Sequence, residues 1–452
     1  MFVARPVALV AALAPVLALA GYSGAPTERS RSIVDPPPTS RADTDYVADV
    51  EFALDALEEK CGHFFELKGI DWKAVRKQFE KDAKSVGTDQ EHLVLLVRLL
   101  ARLRDGHAQV RPLPAGEGVR WPDQPKKAGP GMFWCRVGKK VYVKNAWEAA
   151  AGVGVEPGWE VVKVGKRKVL DWLDDRVAEL SDTISFSTDQ QAFFYACHWG
   201  LAEEVGARID LEFKDEKGKR KSRTITIDGA NPTASGPAFF PDDMQGDGDL
   251  RWAKLADGYG YVHVRRCPDD LPQRFDGALL ALADAPGLVV DFRGNSGGGF
   301  DHDALMGRFV PAGHTMSFAK SYASAGPNPY GGPVVVIVDA TVRSAGETAA
   351  GGFKEDGRAY MIGESPTAGM SSSKTTIDLP SGLFQLYVSV ASNKGRFNEG
   401  RGIEGIGVVP HELVEFDPED LHERKDSLIE RARALLGDFP QKEVPYDPRD
   451  FE

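Results

Sequence analysis

Two short stretches constrain the fold of this chain more than any other feature, because each joins a continuous apolar run to a turn of small residues. The first is GLVVDFRGNSGGG, from Gly287 to Gly299, and the second is GGPVVVIVDATVRSAGE, from Gly331 to Glu347. An apolar run without alternation is typical of a strand that is buried on both faces, as parallel strands in α/β proteins are. Both runs therefore deliver their following loops to the carboxyl edge of an open sheet, where such folds keep their sites.

Ser344 stands where the second stretch turns into a predicted helix. With Glu347 three residues later, it fits a capping box, in which a serine hydroxyl satisfies a free backbone N–H. The alternative is a nucleophile, because the N–H groups and positive dipole end of a helix suit the oxyanion of acyl transfer. The glycines from Gly297 to Gly299 favour the nucleophile, since they can bring bare backbone N–H groups close to a reacting carbonyl.

Four segments, DFRGNSGG, DATVRSAGE, RAYMIGESPTAG and GIEGIGVVP, follow one another in this order along the chain. Together they resemble the C-terminal-processing (tail-specific) and tricorn-type serine peptidases, whose pattern is approximately D-x-R-x-N-x-G-G, S-A-x-E, then G-E-x-T-x-G. The resemblance implies an α/β catalytic domain of the crotonase-like (ClpP/crotonase) fold, usually accompanied by a PDZ-like domain. It also implies hydrolysis of peptide bonds in protein or peptide substrates through an acyl-enzyme, with no cofactor and no metal.

The same resemblance assigns roles to residues at the motif positions. Ser344 corresponds to the nucleophile, and the N–H groups of Ala345 and Gly297 correspond to the oxyanion hole. The tail-specific branch has a lysine base directly after G-E-x-T-x-G. This chain has Met370 at that position, and the next lysine, Lys374, lies four residues further on. A Ser/Lys dyad that uses Lys374 is therefore an alternative that requires a shifted loop.

The tricorn-type branch instead has a histidine base in a D-G-H-like turn after a helical N-terminal domain, and a glutamate before G-V-x-P. His107 and Glu404 stand at these positions, so the chain resembles the Ser-His-Glu branch more closely. One departure is Gly106, where the tricorn arrangement has a serine that links histidine to glutamate. Asp105 or a water is the candidate to orient His107 instead.

Other histidines of the chain are weaker candidates for the base. His302 and His314 fall within the predicted catalytic domain and are the runners-up. His263 alternates with an aromatic residue along a predicted strand and is expected to be structural. His411 stands where the family usually has aspartate, and no role is assigned to it.

Apolar spacing and turn residues divide the chain into predicted units. Helical spacing over Asp45 to Leu103 predicts a helical N-terminal domain at 44–112, with Asp71 as a helix N-cap. The stretch at 130–230 resembles a PDZ domain, which would bind an extended peptide at a sheet edge. A βαβ rhythm predicts the catalytic domain at 245–437. A closing helix is expected over 420–436, ended by Gly437, with a loose tail at 438–452.

The first residues have the layout of an export signal. Residues 1–20 carry one early positive charge, an apolar stretch and a small-x-small end, which predicts a cleaved signal peptide. Residues 21–43 are rich in Ser, Pro, Thr and Arg, which predicts a linker. The expectation is an exported protein, periplasmic or extracellular, with no stable membrane span after cleavage.

Composition and cysteine content set wider limits. The chain has 452 residues, 42% hydrophobic and 27% charged, which is ordinary globular material for two or three domains. A net charge of −12 argues against nucleic acid as a partner. Among the four cysteines, Cys135 and Cys197 are the candidate disulfide, and four buried thiols are the alternative.

The sequence thus predicts an exported serine endopeptidase. A competing hypothesis is a non-catalytic protein that binds a peptide or apolar ligand on the same fold. The sequence leaves the oligomeric state open.

Overall fold

The computed structural model describes residues 45–232, 236–317 and 321–438. The predicted signal peptide, the predicted linker and residues 439–452 of the predicted tail lie outside the described residues. Within the described ranges, no helix is both long enough and apolar enough to cross a lipid bilayer.

The helices, numbered in chain order, are α1 (Tyr46–Cys61), α2 (Trp72–Ala83), α3 (Asp89–Ala101), α4 (Glu148–Gly152), α5 (Val169–Leu180), α6 (Asp189–Cys197), α7 (Leu271–Ala281), α8 (His302–Gly307), α9 (Ala345–Glu355), α10 (Pro418–His422) and α11 (Ser427–Asp438). The strands are β1 (Gln109–Pro112), β2 (Lys127–Ala128), β3 (Met132–Val137), β4 (Lys140–Ala146), β5 (Glu160–Val164), β6 (Arg167–Lys168), β7 (Glu203–Glu204), β8 (Arg208–Lys214), β9 (Arg220–Thr226), β10 (Gln245–Gly246), β11 (Leu250–Lys254), β12 (Gly260–Val264), β13 (Leu288–Asp291), β14 (Thr315–Ser317), β15 (Ser321–Ala323), β16 (Val334–Val338), β17 (Tyr360–Gly363), β18 (Ser372–Asp378), β19 (Phe384–Ser392) and β20 (Glu412–Leu413).

The N-terminal helices begin at side-chain caps. Asp45, Asp71 and Thr88 each accept a hydrogen bond from a backbone N–H in the first turn of α1, α2 and α3, so the predicted cap at Asp71 is confirmed. These helices pack with a three-stranded sheet of order β1-β19-β18, in which β1 and β19 are antiparallel. The segment after α3 is therefore fixed to strands from the far end of the chain.

The middle of the chain forms a sheet of order β3-β4-β5-β8-β9, with β6 paired to β5. Strand β5 pairs with β8, and β8 pairs with β9, all antiparallel. Strand β3 is an edge of this sheet, and α5 and α6 pack against the same core as its strands.

A seven-stranded sheet of order β10-β11-β12-β13-β16-β17-β20 carries the predicted βαβ rhythm, and its strands from β12 onward are parallel. Successive residues of β16 face opposite layers. Val334, Val336 and Val338 pack with α7, α8 and α9, whereas Val335 and Ile337 pack with α11. All five residues of β16 are fully buried, as the unbroken apolar run predicted. The region is thus a layered α/β fold.

Two predictions about the chain are wrong in part. The single closing helix is two helices, α10 and α11, because Arg424 has a positive φ of 60° between them and Asp426 caps a new first turn. Gly437 lies inside α11 and does not end it. The candidate disulfide between Cys135 and Cys197 is absent, since all four cysteines are buried and free. The two thiols belong to different apolar clusters.

Candidate active site

Ser344 lies at the start of α9, in a backbone conformation that serine rarely adopts. Its φ is 56° and its ψ is −124°. Such a conformation costs about 1–3 kcal/mol and persists only where the surroundings hold it. The Ser344 N–H donates to the carbonyl of Met370 and to Glu347 Oε2, each at 3.2 Å. The backbone N–H of Ser344 thus helps to hold the turn that presents the serine.

Glu347 connects this turn to the loop that follows β17. Its side chain is fully buried, and its two oxygens accept four hydrogen bonds. The donors are the hydroxyl of Thr367 and the backbone N–H groups of Ser344, Gly369 and Met370. Burial raises the pKa of Glu347 to about 7, against the lowering effect of these hydrogen bonds. The predicted capping box of Ser344 and Glu347 is present, but three of the four hydrogen bonds that Glu347 accepts come from the loop after β17.

The glycine loop lies directly against Ser344, as the sequence predicted. A Cβ added to Gly297, whose φ is +81°, would be 2.9 Å from Ser344 Cβ. The buried amide of Asn295 shapes the loop, since Oδ1 accepts from the Gly297 N–H at 2.8 Å and Nδ2 donates to the Val264 carbonyl at 2.8 Å. The Gly297 N–H is thus engaged with Asn295. The Ala345 N–H is in the first turn of α9, where helix donors have no intrahelical acceptor.

Replacing Gly297 by alanine is expected to lower kcat/KM for peptide hydrolysis by on the order of 10- to 10²-fold. The new methyl group would lie 3.0 Å from the Arg343 carbonyl oxygen as well, on a backbone that disfavours any side chain. Gly299→Ala is the matched control, because the atom nearest to its added Cβ is Asp269 Oδ1 at 3.7 Å. Equal rates for the two variants, measured with one peptide substrate, would contradict the predicted role of the loop.

His107 lies in the turn after α3, as predicted, and the turn is held by serines from the segment before α6. Ser185 Oγ accepts from the Asp105 N–H, and Ser187 Oγ accepts from the Gly106 N–H, both at 2.8 Å. An added Cβ at Gly106 would be 2.7 Å from Met370 Sδ. The thioether of Met370 therefore fills the volume that a side chain at position 106 would need.

Asp105 contacts the backbone of His107 rather than its ring. Oδ1 accepts from the His107 N–H at 2.9 Å and from Ser389 Oγ at 2.9 Å, and Oδ2 accepts from the Ser389 N–H at 2.7 Å. Asp105 thereby fixes the histidine turn to β19.

The half-buried His107 ring is in its neutral form near pH 7. Burial lowers its pKa to about 4, opposed by Asp105 and reinforced by Lys374, Arg343 and Lys68. Its Nδ1 is buried and has no hydrogen-bond partner among the described residues. A neutral imidazole of this kind can accept a proton.

Glu404 is fully buried beside His107. Its Oε1 accepts from Lys68 Nζ at 2.7 Å, whereas its Oε2 is buried without a partner in the described part of the chain. Burial raises the pKa of Glu404 to about 8, against the lowering effect of the Lys68 ammonium. Lys68 also donates to the Arg104 carbonyl at 2.8 Å. No motif in the sequence marks Lys68, which lies in the connection between α1 and α2.

One ring nitrogen of His107 and one carboxylate oxygen each of Asp105 and Glu404 lie within 4.8 Å of one another. These three groups are the ones that could hold a metal ion here. However, both oxygens of Asp105 accept hydrogen bonds from Ser389, and Oε1 of Glu404 accepts one from the Lys68 ammonium. This arrangement fits a carboxylate that orients a histidine better than it fits a metal site. A second group, Glu156, Glu216 and His422, lies at the surface.

The alternative bases have other surroundings. Lys374 is half-buried at a bulge of β18, close enough to lower the pKa of His107. His302 Nε2 lies 3.2 Å from the Thr348 hydroxyl on α9. His263 is buried on β12 with Nε2 2.8 Å from the Arg293 carbonyl, so its structural role is confirmed. His411 Nδ1 accepts from the Met361 N–H. His314 lies in the connection between α8 and β14.

A cavity of about 540 Å³ lies between the sheet that contains β3 and the large sheet. The residues that line this cavity do not include Ser344, His107 or Glu404. Its walls come from β3, α5, α6 and the ends of β16 and β17, and they include Trp134, Arg136, Val177, Phe193, Phe194, Glu364 and Ser365. The cavity is therefore separate from the candidate catalytic groups.

Comparison with known proteins identifies the region that holds Ser344. The family model described as Peptidase family S41 matches residues 258–414. This match defines the S41 region of the chain. This S41 region contains the glycine loop, Ser344, Glu347 and Glu404, whereas His107 and Lys68 come from the helical segment that precedes it.

Individual relatives of the S41 region and its flanks are distant. The chain is similar to the putative tricorn protease homolog 2 of Streptomyces coelicolor, with 23% identity over 399 residues, 85% of this chain and 32% of that protein. It is also similar to the chloroplastic C-terminal processing peptidase of Tetradesmus obliquus, with 34% identity over 152 residues, 31% of each chain. The chain spans about a third of the length of these two relatives.

Among solved structures, the fold resembles that of mature CPAF, with a TM-score of 0.63 and 13% identity. The superposition covers 88% of this chain and 99% of that one. The likeness extends well beyond the S41 region.

Proposed function

We propose that this protein is an exported serine endopeptidase that hydrolyses peptide bonds through an acyl-enzyme on Ser344. The observation that carries the proposal is the meeting of His107 and Glu404 beside the S41 region. There a buried ring nitrogen and a buried carboxylate oxygen both lack partners among the described residues. His107 is proposed as the general base and Glu404 as the carboxylate that orients it.

In the proposed mechanism, the neutral ring of His107 removes the proton from Ser344 Oγ as the oxygen attacks the substrate carbonyl. The backbone N–H groups of Ala345 and Gly297 stabilise the oxyanion, for which the Gly297 N–H must leave Asn295 Oδ1. The His107 imidazolium then protonates the leaving amine, while Nδ1–H donates to Glu404 Oε2. Water, activated by the same ring, releases the acyl group.

The remaining units are proposed to follow the family pattern. The S41 region and its flanks at 245–437 form the crotonase-like catalytic domain, and 44–112 forms the helical domain that supplies His107. The unit at 130–230 is the PDZ-like domain. It would recognise an extended peptide along the edge strand β3, where the cavity of about 540 Å³ opens. Export to the periplasm or medium belongs to the same proposal.

The same cavity supports a second candidate function, a non-catalytic protein that binds a peptide or apolar ligand. Five of its fifteen lining residues are aromatic or aliphatic, and three of those five are the aromatic residues Trp134, Phe193 and Phe194, which are common in ligand sites. The two functions differ in whether Ser344 is reactive.

Treatment of the full chain with a fluorophosphonate, followed by mass spectrometry, tests the proposal. These reagents phosphonylate serines whose base and oxyanion hole are assembled, with loss of fluoride, so modification is expected at Ser344 and not at other serines. The modification should disappear in His107→Ala and persist in His314→Ala, the matched control. Full modification in His107→Ala would exclude the assigned base. Loss in Lys374→Ala with retention in His107→Ala would establish the Ser/Lys dyad. No modification of any serine would favour the binding protein.

A further inference from the structure

Three arginines surround the glycine loop at the carboxyl edge of the large sheet. Arg265 and Arg266 directly follow β12, and Arg343 directly precedes Ser344. The Arg343 N–H donates to the Asn295 carbonyl at 3.2 Å, and its Nε donates to the Ser296 carbonyl at 3.4 Å. The Ser296 N–H in turn donates to the Arg265 carbonyl at 3.2 Å. Ser296 thus joins the two arginine segments on either side of the loop.

These guanidinium groups lack anionic partners in the described residues. Within residues 45–232, 236–317 and 321–438, no carboxylate oxygen lies within the 4.0 Å ion-pair distance of any of the three. In the same ranges, their guanidinium groups donate only to backbone carbonyls, that of Gly294 for Arg265 and that of Ser296 for Arg343. By contrast, Arg293 in the same loop forms two buried ion pairs, with Asp291 and Asp426. The carboxylates that pair with Arg293 come from the end of β13 and from the start of α11, and neither of them reaches the other three arginines.

Arg265 and Arg343 are half-buried, which makes the missing partners costly. Burial lowers the pKa of both groups. The charges of Arg265 and Arg266 lower the pKa of Arg343 further. The pKa of Arg265 is raised by Asp339 and Asp249, which lie beyond ion-pair distance, but the effect of burial is larger. Arginine forms strong paired hydrogen bonds with carboxylates, so an incoming carboxylate would relieve both the repulsion and the lost hydration.

We propose that Arg265, Arg266 and Arg343 form a subsite for a peptide carboxylate next to Ser344. The inference rests on the proposed function, because it names the substrate class of that same site. Adjacent residues of an extended peptide are about 3.5 Å apart. A guanidinium next to the nucleophile would therefore contact a group within one or two residues of the scissile bond. That group is an acidic side chain or the free C-terminus of the substrate.

The overall charge of the protein makes this preference specific to the subsite. With a net charge of −12, the protein as a whole repels acidic peptides. A preference for carboxylates must therefore arise from local contacts at the arginines, and it should weaken as salt screens those contacts.

Binding to the Ser344→Ala variant of the full chain tests the subsite without hydrolysis. Four fluorescein-labelled alanine-rich peptides are compared by fluorescence anisotropy. They carry a central Glu or Gln, and each ends in a free carboxylate or an amide. Peptides with a carboxylate are expected to bind on the order of 10-fold more tightly than the Gln amide. A preference that follows the central residue identifies the side chain as the source, and one that follows the terminus identifies the C-terminus.

The arginines are then replaced in the same background. Arg266→Gln, at an exposed position, and Arg343→Gln should each reduce the preference towards unity, whereas Arg401→Gln, remote from the loop, should preserve it. Equal affinity for all four peptides would overturn the subsite, as would a preference that survives both replacements. Labelling of Ser344 by fluorophosphonate in the parent chain is scored separately. If the four peptides bind equally but Ser344 is still labelled, the subsite is wrong and the peptidase assignment stands. If Ser344 is not labelled, the peptidase assignment itself fails.

Discussion

Lys68→Met is expected to lower kcat/KM for peptide hydrolysis by on the order of 10²- to 10⁴-fold, the range seen when a catalytic histidine loses its orienting carboxylate. The Lys68 side chain is 1% exposed, and its ammonium is the only recorded partner of the Glu404 carboxylate among the described residues. Methionine keeps most of the side-chain volume but leaves Glu404 buried without a counter-charge. Glu404 would then remain protonated, and it would not stabilise the positive charge that His107 acquires during the reaction.

The pH profile separates this effect from simple unfolding. The pKa of Glu404 is about 8 with Lys68 present, and Lys68 acts to lower it. In the wild type, kcat/KM should therefore rise as pH approaches 8, because Glu404 ionises, while His107, with a pKa of about 4, is already neutral. Removing Lys68 raises the pKa of Glu404 further, so the residual activity of Lys68→Met should rise only at higher pH. An unshifted profile would contradict the role assigned to Lys68.

Two further variants complete the Lys68 test. Breaking a buried ion pair costs about 3–5 kcal/mol of unfolding free energy, whereas replacing both partners is often neutral. Lys68→Met/Glu404→Gln should therefore recover stability in urea unfolding without recovering activity. Lys60→Met is the matched control. That lysine lies near the end of α1, is 47% exposed and pairs only with Glu59, so its loss should change neither property measurably.

Glu347→Gln is expected to be almost as damaging as Glu347→Ala, although it preserves the shape of the side chain. Both oxygens of Glu347 accept hydrogen bonds, so a glutamine NH₂ group must face at least one backbone N–H whichever way the amide turns. In one orientation it faces the N–H groups of Ser344 and Met370, and in the other it faces the Gly369 N–H and the Thr367 hydroxyl, which can rotate to accept. One or two buried donors without acceptors cost about 1–6 kcal/mol in total. The Ser344 turn and the loop at 367–370 would separate, and both unfolding free energy and Ser344 labelling should fall.

Glu355→Gln, at the end of the same helix, is the control. Only Oε1 of Glu355 accepts hydrogen bonds, from the Asn398 N–H and Lys354 Nζ, and an amide oxygen can replace it. Its urea midpoint should remain within error of the wild type. A midpoint for Glu347→Gln that matches that of Glu355→Gln would refute the role assigned to Glu347.

The parts of the structure that depend on neighbouring residues were predictable from the sequence. The buried strand at 334–338, the glycine loop and the start of α9 follow from apolar runs and turn residues within a few positions. The contact between Gly297 and Ser344 was also predictable, because parallel strands bring their following loops to one edge.

The parts that depend on distant packing were not predictable. Lys68 meets Glu404 across 336 residues, and no local pattern marks either side of that pair. Gly106 and Met370 are two separate departures from the family pattern in the sequence, but in the fold they form a single contact. The break between α10 and α11 was missed because capping by Asp426 outweighed a helical spacing that continued through it.

The pairing of β1 with β19 has a consequence for the timing of activity. Strand β1 follows His107 by one residue, yet its partner is the second-to-last strand of the chain, and Glu404 lies beyond that strand. Synthesis proceeds from the N-terminus, so the helical segment emerges from the ribosome long before the strand and the carboxylate that complete its surroundings. We therefore expect His107 and Ser344, the proposed base and nucleophile, to stay apart in the nascent chain until almost all of it has been made. The proposed site would then be unable to react for most of translation.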